Sequence, residues 1–174
     1  LEEAKADGVN VEAPIEVIAR TENFPHVTEV GEALVQMLNE VGFNAKLRMV
    51  EVAEHEQFYS KPYPEGRPAQ LIVAQHDNSR GDPVFSMYFK YHSQGTQSGV
   101  SDPKVDQMIE EATAATGDKR AELWSQVMAY VHDEVVADVL LFHMVGHSRV
   151  SERLDFRPTI ATNSQLPLAE IGFK

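Results

Sequence analysis

The chain has 174 residues, enough for one domain with a sizeable core, and 43% of them are hydrophobic, which argues against disorder. A formal net charge of −12 argues against a nucleic-acid-binding surface and against attraction to an anionic membrane. The absence of cysteine excludes disulfides, thiolate catalysis and cysteine-ligated metal sites. No apolar run is long enough to cross a bilayer, so we expect no membrane insertion. Because the chain starts at Leu1 and shows no signal peptide, we expect a fragment or processed form of a longer protein.

The first part of the chain predicts a βαβ unit. After an acidic, polar lead-in segment, residues 1–14, the apolar and β-branched residues 15–19 predict a strand. Residues 28–41 predict a helix that ends at Gly42, because apolar side chains recur there at helical spacing. That apolar stripe consists of Val30, Leu34, Met37, Leu38 and Val41. Residues 45–52 alternate as a strand does, and the two strands are expected to be parallel.

The middle of the chain alternates between short elements and loops. Residues 53–60 predict a short helix, and the proline-rich residues 61–68 predict a loop. The apolar residues 71–74 predict a short central strand. Residues 84–91 carry an aromatic cluster that is more often core than pocket, although a tyrosine hydroxyl could face a cleft. Its members are Phe85, Tyr88, Phe89 and Tyr91.

The polar loop at residues 75–83 follows the short strand directly and reads QHDNSRGDP. In α/β sheets, ligands bind beyond the carboxyl ends of strands, and this loop offers donors, acceptors and both signs of charge. The alternative is an ordinary surface loop in which Gly-Asp-Pro makes a turn. The residues alone leave both interpretations open.

Two helices and a strand are predicted in the second half. Asp102 and Pro103 are typical of a helix start, since the carboxylate accepts free amides and proline has none to leave unpaired. Gly117 is expected to end that helix, and Asp118 to cap a longer one. The two apolar faces consist of Val105, Met108, Ile109 and Ala112, and of Leu123, Trp124, Val127, Met128, Val131 and Val135.

The last strand is predicted at residues 138–145, and residues 153–174 are expected to form an irregular tail. The pattern as a whole predicts the α/β class, with a mixed sheet flanked by helices in a single domain over residues 1–174.

Seven histidines raise the question of a metal site. His143 and His147 would share one face of a strand but lie about 13 Å apart along it, too far for one ion unless the strand bends. The other histidines outside the polar loop resemble surface or capping residues: His26, His55, His92 and His132. Motifs for a nucleophile or a phosphate loop are missing, so we expect no enzyme. The alternative hypothesis is a metal-binding or enzymatic α/β domain that uses the histidine-rich loops.

Three stretches, in this order, carry a family resemblance. They are EVGEALVQMLNEVGFNAKLRMVEV, LIVAQHDNSRGDP and SGVSDPKVDQMIEEATAATGDKRAELWSQVMAYVHDEVVADVLLF. Together they resemble family 5 of the bacterial extracellular solute-binding proteins, the peptide-, oligopeptide- and nickel-binding components of ABC importers. The resemblance covers most of the chain.

The resemblance implies the carboxyl-terminal lobe of a type II periplasmic binding protein. Such a protein captures a peptide, an oligopeptide or another small polar solute by closure of two lobes, and delivers it to an inner-membrane ABC permease. It implies a periplasmic location, or anchoring at the membrane surface, with no cofactor and no nucleic acid. We expect a monomer, and weak or undetectable solute binding by this lobe alone.

The resemblance also directs attention to individual residues. In peptide binders of this family, an aspartate in the loop after the strand holds the peptide's amino group, and the matching position here is Ser79. Asp77 and Asp82 are close but out of register, so this loop departs from the peptide-binding pattern at Ser79. The planar fork of Arg80 would suit a carboxylate. The predicted pocket residues are His76, Asp77, Asn78, Ser79, Arg80, Phe142 and His143.

Overall fold

The computed structural model describes residues 1–63, 65–66, 68–76, 81–145, 147–158 and 167–174. The chain divides into two compact units, Leu1–His76 and Asp77–Lys174.

The first unit is a parallel α/β arrangement. Its elements are α1 (Glu2–Ala6), β1 (Pro14–Arg20), α2 (Val27–Glu40), β2 (Asn44–Val50), α3 (Val52–Tyr59) and β3 (Ala69–Val73). The strands form one sheet in the order β2-β1-β3, and both pairings are parallel, which confirms the predicted βαβ unit. β3 is an edge strand among the described residues, so its predicted central position is wrong. The predicted lead-in segment contains the short helix α1.

Helix α2 covers one face of the sheet. The core on that face consists of Val17, Ala19, Val27, Ala45 and Val73, with Leu34, Val35 and Leu38 packed against it. Met37 and Val41 were predicted in the stripe but are 63% and 65% exposed. The helix approaches β2 most closely at Gly31, where a Cβ would lie 2.7 Å from Leu47 Cδ1. Val35 is four residues after Gly31, so it lies on the same face of α2 and packs toward the sheet. Met37 lies outside that face and stays exposed.

Helix α3 lies against β1. Arg48 of β2 holds it from the side, with Nη2 donating to Glu54 Oε1 at 2.5 Å and the guanidinium 4.9 Å from the centre of the Phe58 ring. The chain then returns through residues 60–68 to β3.

The second unit is mainly helical. Its elements are α4 (Val84–Tyr91), α5 (Pro103–Ala114), α6 (Gly117–Tyr130), a π-helical turn (Val131–Val135), β4 (Leu154–Asp155), a 3-10 turn (Leu168–Glu170) and β5 (Gly172–Phe173). The helices enclose a core of Met87, Val105, Ile109, Ala112, Trp124, Val127 and Val131. β4 and β5 pair antiparallel, so the tail is more regular than predicted. The α/β class is confirmed, with parallel and antiparallel pairings in separate sheets.

The aromatic cluster lies on helix α4, and its members differ in burial. Phe85 is 59% exposed and Tyr88 is 37% exposed, so the prediction of core positions is wrong for these two, whereas Tyr91 packs against the core. Met87 is the buried residue of this helix, because its face is the one turned to the neighbouring core.

Helix α6 begins differently from the prediction. Thr116 is its N-cap residue, without a side-chain cap, and Gly117 is its first residue with φ of 58°. Glycine accepts that left-handed conformation, so Gly117 turns the chain into α6. Asp118 is therefore inside the first turn and is not the cap.

The predicted strand at residues 138–145 is not formed. The chain leaves the π-helical turn through Val136 at φ of 50° and then runs without strand pairing. The side chains from Val139 to Val145 are exposed, up to 78% at Val139. An apolar run alone cannot make a strand, because a strand also needs a neighbour for its backbone hydrogen bonds.

Candidate functional site

The carboxyl ends of the three parallel strands meet at one edge of the sheet. Arg20 of β1 lies opposite Val50 of β2, and Ala19 lies opposite Val73 of β3. The segments that follow the strands therefore emerge side by side, at the position where α/β sheets bind ligands.

The ends of β1 and β2 are locked to each other at this edge. Thr21 donates its backbone N–H to Val50 O at 2.9 Å and its hydroxyl to Glu51 Oε1 at 3.0 Å. Arg20 donates Nη2 to Asn23 Oδ1. Sequence reasoning missed this group, although Arg-Thr directly after an apolar strand was a usable signal.

The predicted pocket loop starts at the same edge. His76 is exposed and follows the end of β3 by three residues. Asp77, Asn78, Ser79 and Arg80 lie outside the described residues, so their roles stay predictions.

The loop ends in a well-anchored aspartate. Asp82 Oδ1 accepts the backbone N–H of Val84 at 2.9 Å, which starts helix α4. Arg120 Nη2 reaches both carboxylate oxygens of Asp82, at 2.9 Å each. The Val84 N–H first, and then Arg120, hold the pKa of Asp82 below its usual value. Asp82 therefore has a structural role in the helical unit.

Arg120 also closes the end of helix α5. Its Nη1 donates to the carbonyl oxygens of Ala112, Thr113 and Ala115, at 2.9, 2.7 and 3.3 Å. These are acceptors that a helix terminus leaves without intrahelical partners. Sequence reasoning missed Arg120, because nothing local marks an arginine whose partners come from another helix.

Phe142 and His143 belong to the second unit and His76 to the first. Phe142 is 53% exposed, and both residues lie in the stretch after Asp138, which forms neither helix nor strand. Tyr91 donates its hydroxyl to Asp138 Oδ2, which fixes the start of the stretch to helix α4. Burial lowers the pKa of Lys90 on the same helix, and the charge of Asp138 opposes that shift.

In the described parts of the chain, no three His, Asp or Glu side chains are grouped as a metal site would require. None of the helices seen there has the length and apolar character to cross a membrane.

The chain matches no known family model and no curated protein. It does match solved structures. A nickel ABC transporter of Bacillus halodurans matches over 71% of this chain and 25% of its own, with 23% identity and a TM-score of 0.59. An ABC transporter substrate-binding protein of Sinorhizobium meliloti matches over 70% of this chain and 24% of its own, with 22% identity and a TM-score of 0.53. The third match is a substrate-binding protein of Microbacterium hydrocarbonoxydans in complex with 4-hydroxybenzoate hydrazide. It covers 76% of this chain and 28% of its own, with 20% identity and a TM-score of 0.53.

These similarities establish the fold. The chain shares the fold of part of the substrate-binding proteins of ABC transporters, as the resemblance implied. It spans about a quarter of the length of the solved proteins that it matches.

Proposed function

We propose that this chain is the carboxyl-terminal lobe of a family 5 solute-binding protein, which captures a small solute for an ABC importer and has no catalytic role. The observation that carries the proposal is the fold, which is shared with ABC-transporter substrate-binding proteins over more than two thirds of the chain. Closure of two lobes around the solute is the binding mechanism of this proposal.

The edge of the parallel sheet supports a solute contact in the loop after β3. His76 emerges beside the locked ends of β1 and β2, where polar groups can meet a ligand. We propose that the loop residues 76–80 line the pocket and that Arg80 binds a carboxylate of the solute. Phe142 and His143, which belong to the second unit, are also proposed as solute-contacting residues.

The exposed apolar stretch supports a role within a larger protein. Six large apolar side chains between residues 139 and 145 are at least 45% exposed. Soluble proteins rarely leave a contiguous apolar patch of this kind uncovered. We propose that further polypeptide covers it, since the matched proteins are about four times as long as their matched part. The lobe alone then holds only part of the ligand-binding surface and binds weakly.

The setting follows from the same proposal. The protein would work in the periplasm, or anchored at the outer face of the cytoplasmic membrane. It would be a monomer that docks on its permease. The solute would be a peptide, an oligopeptide or another small polar molecule.

Native mass spectrometry of the protein from its source cells tests the proposal. We expect a polypeptide well above the 19.4 kDa of this chain, carrying a non-covalent solute that leaves on denaturation. Replacement Arg80→Met should remove the solute, whereas the matched change Arg149→Met at an exposed position should retain it. A mature protein of 19.4 kDa would contradict the lobe assignment. Retention of the solute by Arg80→Met would contradict the loop assignment.

Nickel binding through histidines is the second candidate, because a nickel ABC transporter is among the matched proteins. His143 and His147 are the residues that this alternative needs. Equilibrium dialysis against Ni²⁺ distinguishes the two candidates. One equivalent of Ni²⁺ that is lost in His143→Ala and His147→Ala would favour the metal-binding domain.

A further inference from the structure

His55 is a buried histidine whose ring nitrogens have no hydrogen-bond partner among the described residues. It lies on helix α3 and is 4% exposed, and this holds for both Nδ1 and Nε2. His92, at 3% exposure, is the useful contrast. There Nδ1 accepts the backbone N–H of Gln94 at 3.1 Å, and Nε2 lies 3.4 Å from Glu110 Oε1.

The surroundings of His55 make a positive charge costly. Its helix packs on β1, where burial, and then the positive charge of Arg20 at the end of β1, act against a charge on the ring and lower the pKa of His55. The Nε of Arg20 is also buried, and the part of the chain that the structure describes offers it no hydrogen-bond partner. Glu56, the next residue on α3, raises the pKa of His55. The centre of the Tyr59 ring lies 5.2 Å from the centre of the His55 ring.

Protonation would therefore oppose the packing of α3. The neutral ring has one N–H without an acceptor, and the protonated ring would have two. The protonated ring would also carry a positive charge that Arg20 repels. Burial first, and then Arg20, lower the pKa of His55, while Glu56 raises it by less.

We propose that His55 makes α3 an acid-sensitive helix, which leaves β1 when the imidazole takes up a proton. The inference is independent of the proposed function, because it involves no solute and none of the proposed pocket residues. Its effect would be felt at β3, since the chain runs from α3 through residues 60–68 directly into that strand.

The direction with pH follows from linkage. The unfolded imidazole has a pKa near 6.5 and the folded one a lower pKa, so the open state binds more protons as the pH falls. The contribution of neutral His55 to the packing of α3 is therefore fully present above about pH 6.5. It is lost progressively as the pH falls from there to the folded-state pKa.

Amide hydrogen exchange of the 174-residue chain tests this, after correction for the intrinsic pH dependence of exchange. We expect the opening of residues 52–59 to increase by up to about tenfold between pH 7.5 and pH 5.5, with helix α5 unchanged. In His55→Phe, which keeps a ring but cannot titrate, opening should be equal at both pH values. The exposed His132→Gln is the matched control and should behave as the unaltered chain.

Either of two results would overturn the proposal: equal opening of α3 at both pH values in the unaltered chain, or acid sensitivity that persists in His55→Phe. If His55→Phe does not fold, the ring resonance of His55 in the unaltered chain decides. It should titrate below pH 6.5, and titration at or above that value would refute the proposal.

Discussion

At the scale of single residues, Gly95 has the least room for a side chain among the described glycines. It lies where the loop after α4 folds back on the last turn of that helix, donating its N–H to His92 O at 2.8 Å. A Cβ at this position would lie 2.2 Å from Tyr88 O and 2.5 Å from Phe89 O. Both atoms are backbone, so no side-chain rotation relieves the overlap.

Gly95→Ala should lower the free energy of unfolding of the second unit by about 3 kcal/mol, because overpacking forces the backbone to move. Denaturant unfolding followed by Trp124, the single tryptophan and part of that unit's core, measures it. Gly99→Ala is the control, since nothing lies within 4 Å of its Cβ. Equal stability of the two variants would contradict the close approach at Gly95.

Arg120 is the second residue with a large predicted effect. Arg120→Lys keeps the charge but loses the fork that reaches Asp82 and the end of α5, and should cost about 2 kcal/mol by the same measurement. Lys119→Met is the matched control. It removes only an exposed pair with Glu122 and should change stability by less than about 0.5 kcal/mol. A larger loss in Lys119→Met than in Arg120→Lys would contradict the geometry.

At the scale of elements, the two long helices of the second unit begin differently. Asp102 Oδ1 accepts the backbone N–H of Lys104 at 2.8 Å and caps α5, as the sequence predicted. Thr116 occupies the same position before α6, and its side chain makes no cap hydrogen bond.

Asp102→Ala should therefore lower the free energy of unfolding by about 1 kcal/mol, the usual loss on removing a helix cap. Thr116→Ala should change it by only a few tenths of a kcal/mol, because no cap is lost. Thermal unfolding of the two variants side by side tests the difference. A greater loss in Thr116→Ala would show that α6 is capped in solution by the threonine.

At the scale of the whole molecule, the exposed apolar stretch decides how the chain behaves alone. Leu140 is 76% exposed in the middle of it, whereas Val9 is an apolar residue outside the stretch at 56% exposure. Leu140→Lys should reduce binding of an apolar fluorescent dye and concentration-dependent association in sedimentation. Val9→Lys should change neither. Unchanged association in Leu140→Lys would contradict a role of the apolar stretch in self-association.

Local signals in the sequence determined much of this architecture. Helical spacing and strand alternation placed α2, α5, β1 and β2, because amphipathic patterns report directly on which face is buried. The Asp-Pro start of α5 is equally local, since the carboxylate and the amide that it binds are two residues apart. The shared fold was expected from the resemblance of three stretches, in this order, to a known family.

Contacts between distant residues were decided by the tertiary structure alone. Arg120 and Asp82 are 38 residues apart, and no pattern along the chain joins them. Residues 138–145 have the composition of a strand, but strand formation depends on a neighbour that the stretch itself does not encode. His55 resembles a surface histidine in the sequence, and only the packing of α3 on β1 buries it. The sequence could therefore name the elements, whereas burial and pairing, which depend on what lies across the fold, required the structure.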